Sequence, residues 1–187
     1  MNMLKELKLR TQAAHKNAED KSLAHKIINN RISLEEYKDF LLKQFQFYTA
    51  TEQFITKNKE AFPKSFEPFI SNKKSAKLTL DLEQNFNTKT LSIPLKNIDI
   101  EPDFENLLGM LYVIEGSMMG SMLIQKQLPN CENLKSIKTH YFFHLNPKEQ
   151  LAKWKKFQNT VNNISFTENQ VNKAIKSANY TFDLVDF

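Results

Sequence analysis

All three glycines of the chain, Gly109, Gly116 and Gly120, fall inside one strong helix-forming segment, LLGMLYVIEGSMMGSMLIQKQL. In a helix interior each costs about 1 kcal/mol relative to alanine, so something must offset the loss. Spacings of seven and four set them on roughly one helical face, with Tyr112 and Leu123 beside them. A face without side chains admits either a flat, bulky ligand or another helix close to the backbone. On this segment alone both readings stand.

The second chemical element is His15, on the border of an apolar helical stripe, with Lys8 two turns earlier on the same face, about 10 Å along the axis. A histidine in such a place is commonly a hydrogen-bonded core residue. A neutral imidazole can also bind iron through one ring nitrogen while an outer acceptor holds the other. A lysine on that face can meet the acidic edge of a ligand.

The elements that must position these residues are helical. From Leu4 the apolar or small residues Leu7, Thr11, Ala14 and Ala18 recur at steps of three and four, which predicts a first helix over residues 2–20. A short helix over 22–29 follows, and Ser33 with Glu36 forms a capping-box pattern that opens a second long helix. That helix carries Tyr37, Phe40, Leu41, Gln44, Phe45, Phe47, Tyr48 and Phe54, an aromatic stripe of the kind that packs a core. Residues 62–72, with Pro63 and Pro68, read as a connection, and 73–87 as a helix. Residues 87–102 read as an extended surface loop lying across the bundle. The glycine-bearing helix spans about 103–128 and ends at Pro129. A linker with Tyr141, Phe142 and Phe143 leads to a helix over 147–163, and Thr167 with Gln170 opens a last helix running to the end.

Composition agrees. With 187 residues, 41% of them apolar, the chain suits one domain over 1–187 with a substantial core. Six prolines and three glycines are few for turn-rich β structure, so the fold class is all-α. The lone Cys131 excludes an internal disulfide and a cysteine-cluster metal site, and nothing near it in sequence activates the thiol. No stretch approaches 18 uninterrupted apolar residues, and the opening MNMLKELKLR is amphipathic, which predicts a cytoplasmic protein without a membrane partner. The net charge of +5 is spread over the chain, with no nucleic-acid-binding signature, and suits an anionic small molecule or an acidic protein.

Taken together, the chain resembles the haem oxygenase family, in the style of its short bacterial, biliverdin-producing members. The resemblance rests on Leu9-Arg10-Thr11-x-x-x-His15-x-x-x-Glu19 and on Gly109-x-Leu111-Tyr112-Val113-x-Glu115-Gly116-Ser117-x-x-Gly120. Trp154-x-x-Phe157 and Ala178-x-x-x-Phe182 extend it over essentially the whole chain. It implies a haem-oxygenase-like helical bundle with His15 as the proximal iron ligand and Glu19 as the acidic residue of its motif. Gly116 and Gly120 become the distal-helix glycines that let the helix bend over the porphyrin. Ser117 takes the place where some members carry an aspartate, so that proton delivery runs through water and backbone groups. Lys8, Tyr112 and Lys155 match positions that contact the haem propionates.

In that family haem is both cofactor and substrate: with molecular oxygen and electrons from an external donor, its meso carbon is oxidised to give biliverdin, iron and carbon monoxide. A basic surface suits an acidic ferredoxin or flavodoxin, or another reductase. Ser121, following the second distal glycine, departs from the glycine or alanine usual there, and Met118, Met119 and Met122 crowd the same segment. Three rival readings remain: a haem carrier or sensor without turnover, a di-metal or thiaminase-like enzyme of the same architecture, and a structural helical module. For the di-metal reading His15 with Glu19 supplies one i, i+4 pair, while His140 and His144 flank an aromatic linker and read as surface or packing residues.

Overall fold

The computed structural model describes residues 2–70 and 73–185. Among the described residues nine α-helices run in chain order: α1 Met3–Arg10, α2 Gln12–Lys21, α3 Ala24–Ile28, α4 Leu34–Lys57, α5 Glu67–Ile70, α6 Lys74–Phe86, α7 Phe104–Gln127, α8 Pro147–Asn162 and α9 Glu168–Leu184. No strand occurs among the described residues. Residues 71 and 72 of the expected connection, and the last two residues of the expected final helix, lie outside them.

Both capping boxes form. Ser33 accepts from the Glu36 N–H while Glu36 returns a bond to the Ser33 N–H, and Thr167 and Gln170 do the same at the start of α9. The expected first helix, by contrast, is broken at Thr11 into α1 and α2. Neither glycine nor proline marks the break. The Thr11 hydroxyl donates to the Leu7 carbonyl at 2.8 Å, an alternative to regular helix bonding open to threonine. The stretch read as a bare connection contains α5, with Pro68 in its first turn, where its missing N–H costs nothing. Residues 87–102 form the expected irregular strap, interrupted by one 3-10 turn at Thr90–Ser92.

The aromatic stripe of α4 is core: Tyr37, Phe40, Phe45, Phe47 and Tyr48 are all buried. Phe142 and Phe143 from the linker before α8 pack into it, Phe143 stacking on Phe40 and Phe142 meeting Tyr48 with ring centroids 5.3 Å apart. Helix α7 is apolar on nearly every side and packs most extensively against α9. Residues 104–130 are long and apolar enough to cross a membrane by length and composition, but 61% of the apolar 18-residue stretch within them is buried inside this fold. The composition belongs to a central helix.

At the α7–α9 crossing Gly109 meets α9 backbone directly. A β-carbon there would lie 2.1 Å from the Ala174 carbonyl oxygen and 3.0 Å from the Ala178 nitrogen, so only glycine allows the approach. Alongside, the Ser177 hydroxyl donates to the Asn106 carbonyl at 2.6 Å. Helix α9 also carries α1 and α2 on its surface, whereas α2 and α7 barely touch each other. The first and central helices are thus held at a fixed spacing by a shared support.

Asp81 of α6 secures the linker before α8. Fully buried, it accepts from the backbone N–H groups of Tyr141 at 2.8 Å and Phe142 at 2.7 Å. Burial raises its carboxyl to about 6, against the two N–H bonds that pull it down.

Gly109→Ala should lower stability by about 3 kcal/mol or more, because two backbones must part, and thermal unfolding should begin roughly 5–10 °C lower. Asp81→Asn leaves one of two buried N–H groups without an acceptor, at about 1–3 kcal/mol. Between about pH 6 and the usual carboxylate range the folded protein holds a proton on Asp81 that the unfolded chain has released, so stability rises as pH falls through that window. Urea unfolding at about pH 7 and about pH 5 checks both effects, the wild type gaining on the Asp81→Asn variant at the lower pH.

Candidate functional site

The glycine stripe along α7 has three different surroundings. Gly109 is closed by α9, as described. At Gly116 an added β-carbon would meet only the Trp154 ring, at an ordinary contact distance of 3.8 Å, and at Gly120 it would meet nothing within 4 Å. Helix-to-helix packing therefore accounts for Gly109 and leaves the cost of Gly116 and Gly120 without an explanation inside the protein. Trp154 of α8 lies over Gly116 between Tyr112 and Phe157, tilted against the first at 6.0 Å and stacked on the second at 5.4 Å. The three methionines divide: Met118 is buried in the core, while Met119 and Met122 are half-buried.

His15 sits on the outer part of α2 with its side chain 54% exposed. Its ring edge meets Phe182 of α9 at 5.2 Å, and Nδ1 stands 3.5 Å from the Glu19 carboxylate one turn on. Glu19 and Phe182 together orient the ring, and Nε2 has no protein partner among the described residues. That is the arrangement an imidazole needs to bind a metal with one nitrogen while the other is steadied.

Ser117, next to Gly116, is turned inward. Its hydroxyl donates to the Ile114 carbonyl at 2.8 Å, so the 2.7 Å contact with Tyr48 has the phenol as donor. Burial pushes the Tyr48 phenol far above its ordinary range and keeps it a neutral donor. Burial reduces the acidity of the Tyr112 phenol, whose polar neighbour is Thr11 at the α1–α2 junction. Lys8 and Lys155 are exposed and in no ion pair among the described residues, on helices α1 and α8 that pack together. They are two unneutralised charges available to an anion.

Sequence reasoning missed a cluster of buried charges beside the stripe. Glu115, 3% exposed, binds the ammonium of Lys74 from α6 at 2.9 Å and that of Lys153 from α8 at 2.9 Å. Glu52 of α4 caps the start of α6, accepting from the Lys74 N–H at 2.6 Å and the Ser75 N–H at 3.3 Å. Burial pulls the Lys153 ammonium below its ordinary range and raises the Glu52 carboxyl. A signal was present: Glu115 is the single charged residue between Leu107 and Ile124, and a lone carboxylate in an apolar run needs a buried partner.

The remaining chemistry-bearing residues lie elsewhere. His140 Nδ1 pairs with the Tyr37 hydroxyl at 2.8 Å and His144 is exposed, the packing and surface roles expected of them. Cys131 is buried, with its thiol pushed up by burial and aimed at the Ile27 carbonyl. No group of three or more metal-ligating His, Cys, Asp or Glu side chains converges among the described residues, so the di-metal reading finds no ligand set there. Clefts of about 360 Å³ under the 95–102 strap and about 190 Å³ beside Cys131 involve neither His15 nor the glycines.

Comparison with known proteins bears on the family and the fold. Residues 1–186 match the model of the family described as Heme oxygenase. Among solved structures, heme oxygenase-2 from Synechocystis sp. PCC 6803, in complex with heme and NO, aligns at a TM-score of 0.77 with 17% identity, over 100% of this chain and 83% of that one. Heme oxygenase from Leptospira interrogans aligns at 0.75 with 15% identity, over 100% and 97%. The NO- and CO-bound enzyme from Neisseria meningitidis aligns at 0.69 with 23% identity, over 99% and 88%. At these identities the likeness is one of fold. No curated protein sequence matches the chain. A family match over nearly every residue, on an all-helical fold shared end to end with these enzymes, shows that the chain belongs to the haem oxygenase family.

Proposed function

We propose that this protein binds haem between α2 and α7 and cleaves it to biliverdin, releasing iron and carbon monoxide. The observation that carries the reading is the pair Gly116 and Gly120, which no protein neighbour requires, on a helix held apart from α2 by α9. The residues present fit the group. An open glycine face accepts a flat macrocycle, and His15, steadied by Glu19 and Phe182, offers a free Nε2.

Bound haem supplies both the iron that activates molecular oxygen and the carbon that is oxidised, with electrons from an external donor. The chain's part is to bind, orient and deliver protons. His15 would hold the iron, with Glu19 keeping its ring from turning. Gly116 and Gly120 leave room on the distal side where a β-carbon would intrude. The Ser117 hydroxyl is engaged inward by Ile114 and Tyr48, so it brings no free proton to the slot. Proton delivery then runs through water and backbone groups. Lys8, Tyr112 and Lys155 would contact the propionates, the two lysines neutralising them. The same reading puts the reaction in the cytoplasm, with an acidic ferredoxin or flavodoxin, or another reductase, docking on the basic surface.

Adding haem should produce a Soret band, and adding a reductant and oxygen should replace it with a biliverdin spectrum. A Soret band that persists through that treatment would make the protein a carrier or sensor instead. His15→Ala should abolish the wild-type iron coordination; an unchanged spectrum would sink the ligand assignment. Gly116→Ala and Gly120→Ala should each stabilise the haem-free protein by about 0.5–1 kcal/mol while weakening haem binding or turnover. Parallel thermal melts and haem titrations read the two opposite effects.

A further inference from the structure

The buried charges around Glu115 call for a purpose beyond stability. Ions taken out of water cost several kcal/mol each, and well-packed apolar residues in their place are commonly as stable or more so. Directionality is what apolar contact does not provide, since it holds surfaces together without fixing their register. Charge-assisted hydrogen bonds do fix it. Here they tie α4, α6, α7 and α8 at one level: Glu52 to the start of α6, Lys74 to Glu115, and Glu115 to Lys153. That level is one residue before Gly116, and Lys153 is one residue before Trp154, whose ring lies over Gly116. Trp154 is half-buried and held by ring contacts with Tyr112 and Phe157, which permit sliding.

From this geometry we infer that Lys153, through its bond to Glu115, is a positioning residue. It sets the rotation of α8 against α7, and thereby holds Trp154 as the wall of the slot above Gly116. The inference rests on the haem-binding reading for its consequence, and on the haem-free fold for its mechanism. Lys74, its backbone N–H bonded to Glu52, supplies the second ammonium that holds the Glu115 carboxylate in place when haem enters or leaves.

Trp154 is the only tryptophan of the chain, so its fluorescence reports this wall directly. In the haem-free protein, Lys153→Met should add a fast component to the Trp154 anisotropy decay and shift its emission to the red. Lys153→Arg, which keeps the charge, should restore the wild-type signal. In a haem titration the methionine variant should bind roughly tenfold more weakly, as for other losses of an outer supporting contact, with the Soret position set by His15 unchanged. Lys153→Gln carries the same test where methionine costs the fold. A merely structural role predicts a lower melting temperature with Trp154 emission, anisotropy and haem affinity unchanged, and that result overturns the inference. Failure of the wild type to bind haem would overturn the proposed function instead, and the fluorescence comparison would still decide the role of Lys153.

Discussion

The approach of α7 to α9 at Gly109 is the constraint on which the rest of this structure depends. Two helix backbones come so close at Ala174 that a single methyl group is excluded. Once α7 is set at that distance, the other face of α9 is left to carry α1 and α2, with Phe182 of α9 against the edge of His15. One helix thereby determines where both His15 and the glycine stripe of α7 stand. The space between α2 and α7 follows from a contact that neither α2 nor the open end of the glycine stripe takes part in.

Around that contact the charged and aromatic groups divide the work by physical type. The Phe and Tyr side chains of α4, α5 and the linker before α8 fill volume in the core. The few buried polar groups instead fix geometry at chosen points: Asp81 holds the linker, Ser177 stitches α9 to Asn106, and Glu115 collects two ammonium groups. Each of these carries directional bonds at a place where the apolar packing alone would leave a helix or a loop free to shift.

Much of the fold was legible in the sequence because it is written in local signals. Capping boxes at Ser33 and Thr167, the stops before Pro63 and Pro129, and the aromatic period of α4 all act within one or two turns. The break at Thr11 escaped notice because a threonine hydroxyl bonding back to Leu7 has no compositional mark, unlike glycine or proline. The glycine stripe shows the limit at the site itself. Helical spacing places Gly109, Gly116 and Gly120 on one face, yet what stands opposite each is decided by elements more than 30 residues away: Ala174 for the first, Trp154 for the second, nothing for the third. Periodicity identifies a face and is silent about its neighbours. The proposal of His15 as a ligand came only through the family motif, since its exposure, and an Nε2 without a protein partner among the described residues, are tertiary facts.

The inward turn of Ser117 has a mechanical side. Its hydroxyl bonds to the Ile114 carbonyl, and that of Ser121 bonds to the Ser117 carbonyl, each competing with the backbone ladder of α7 in a stretch that also holds Gly116 and Gly120. Side-chain bonds of this kind and glycines are two of the recognised causes of helix bending. The first half of α7 is clamped at Gly109, and the second half is softened by its own hydroxyls. The softened stretch is thus a span between two anchors, Gly109 against α9 at one end and Gln125 and Gln127 bonded to the Leu145 and Ile28 carbonyls at the other.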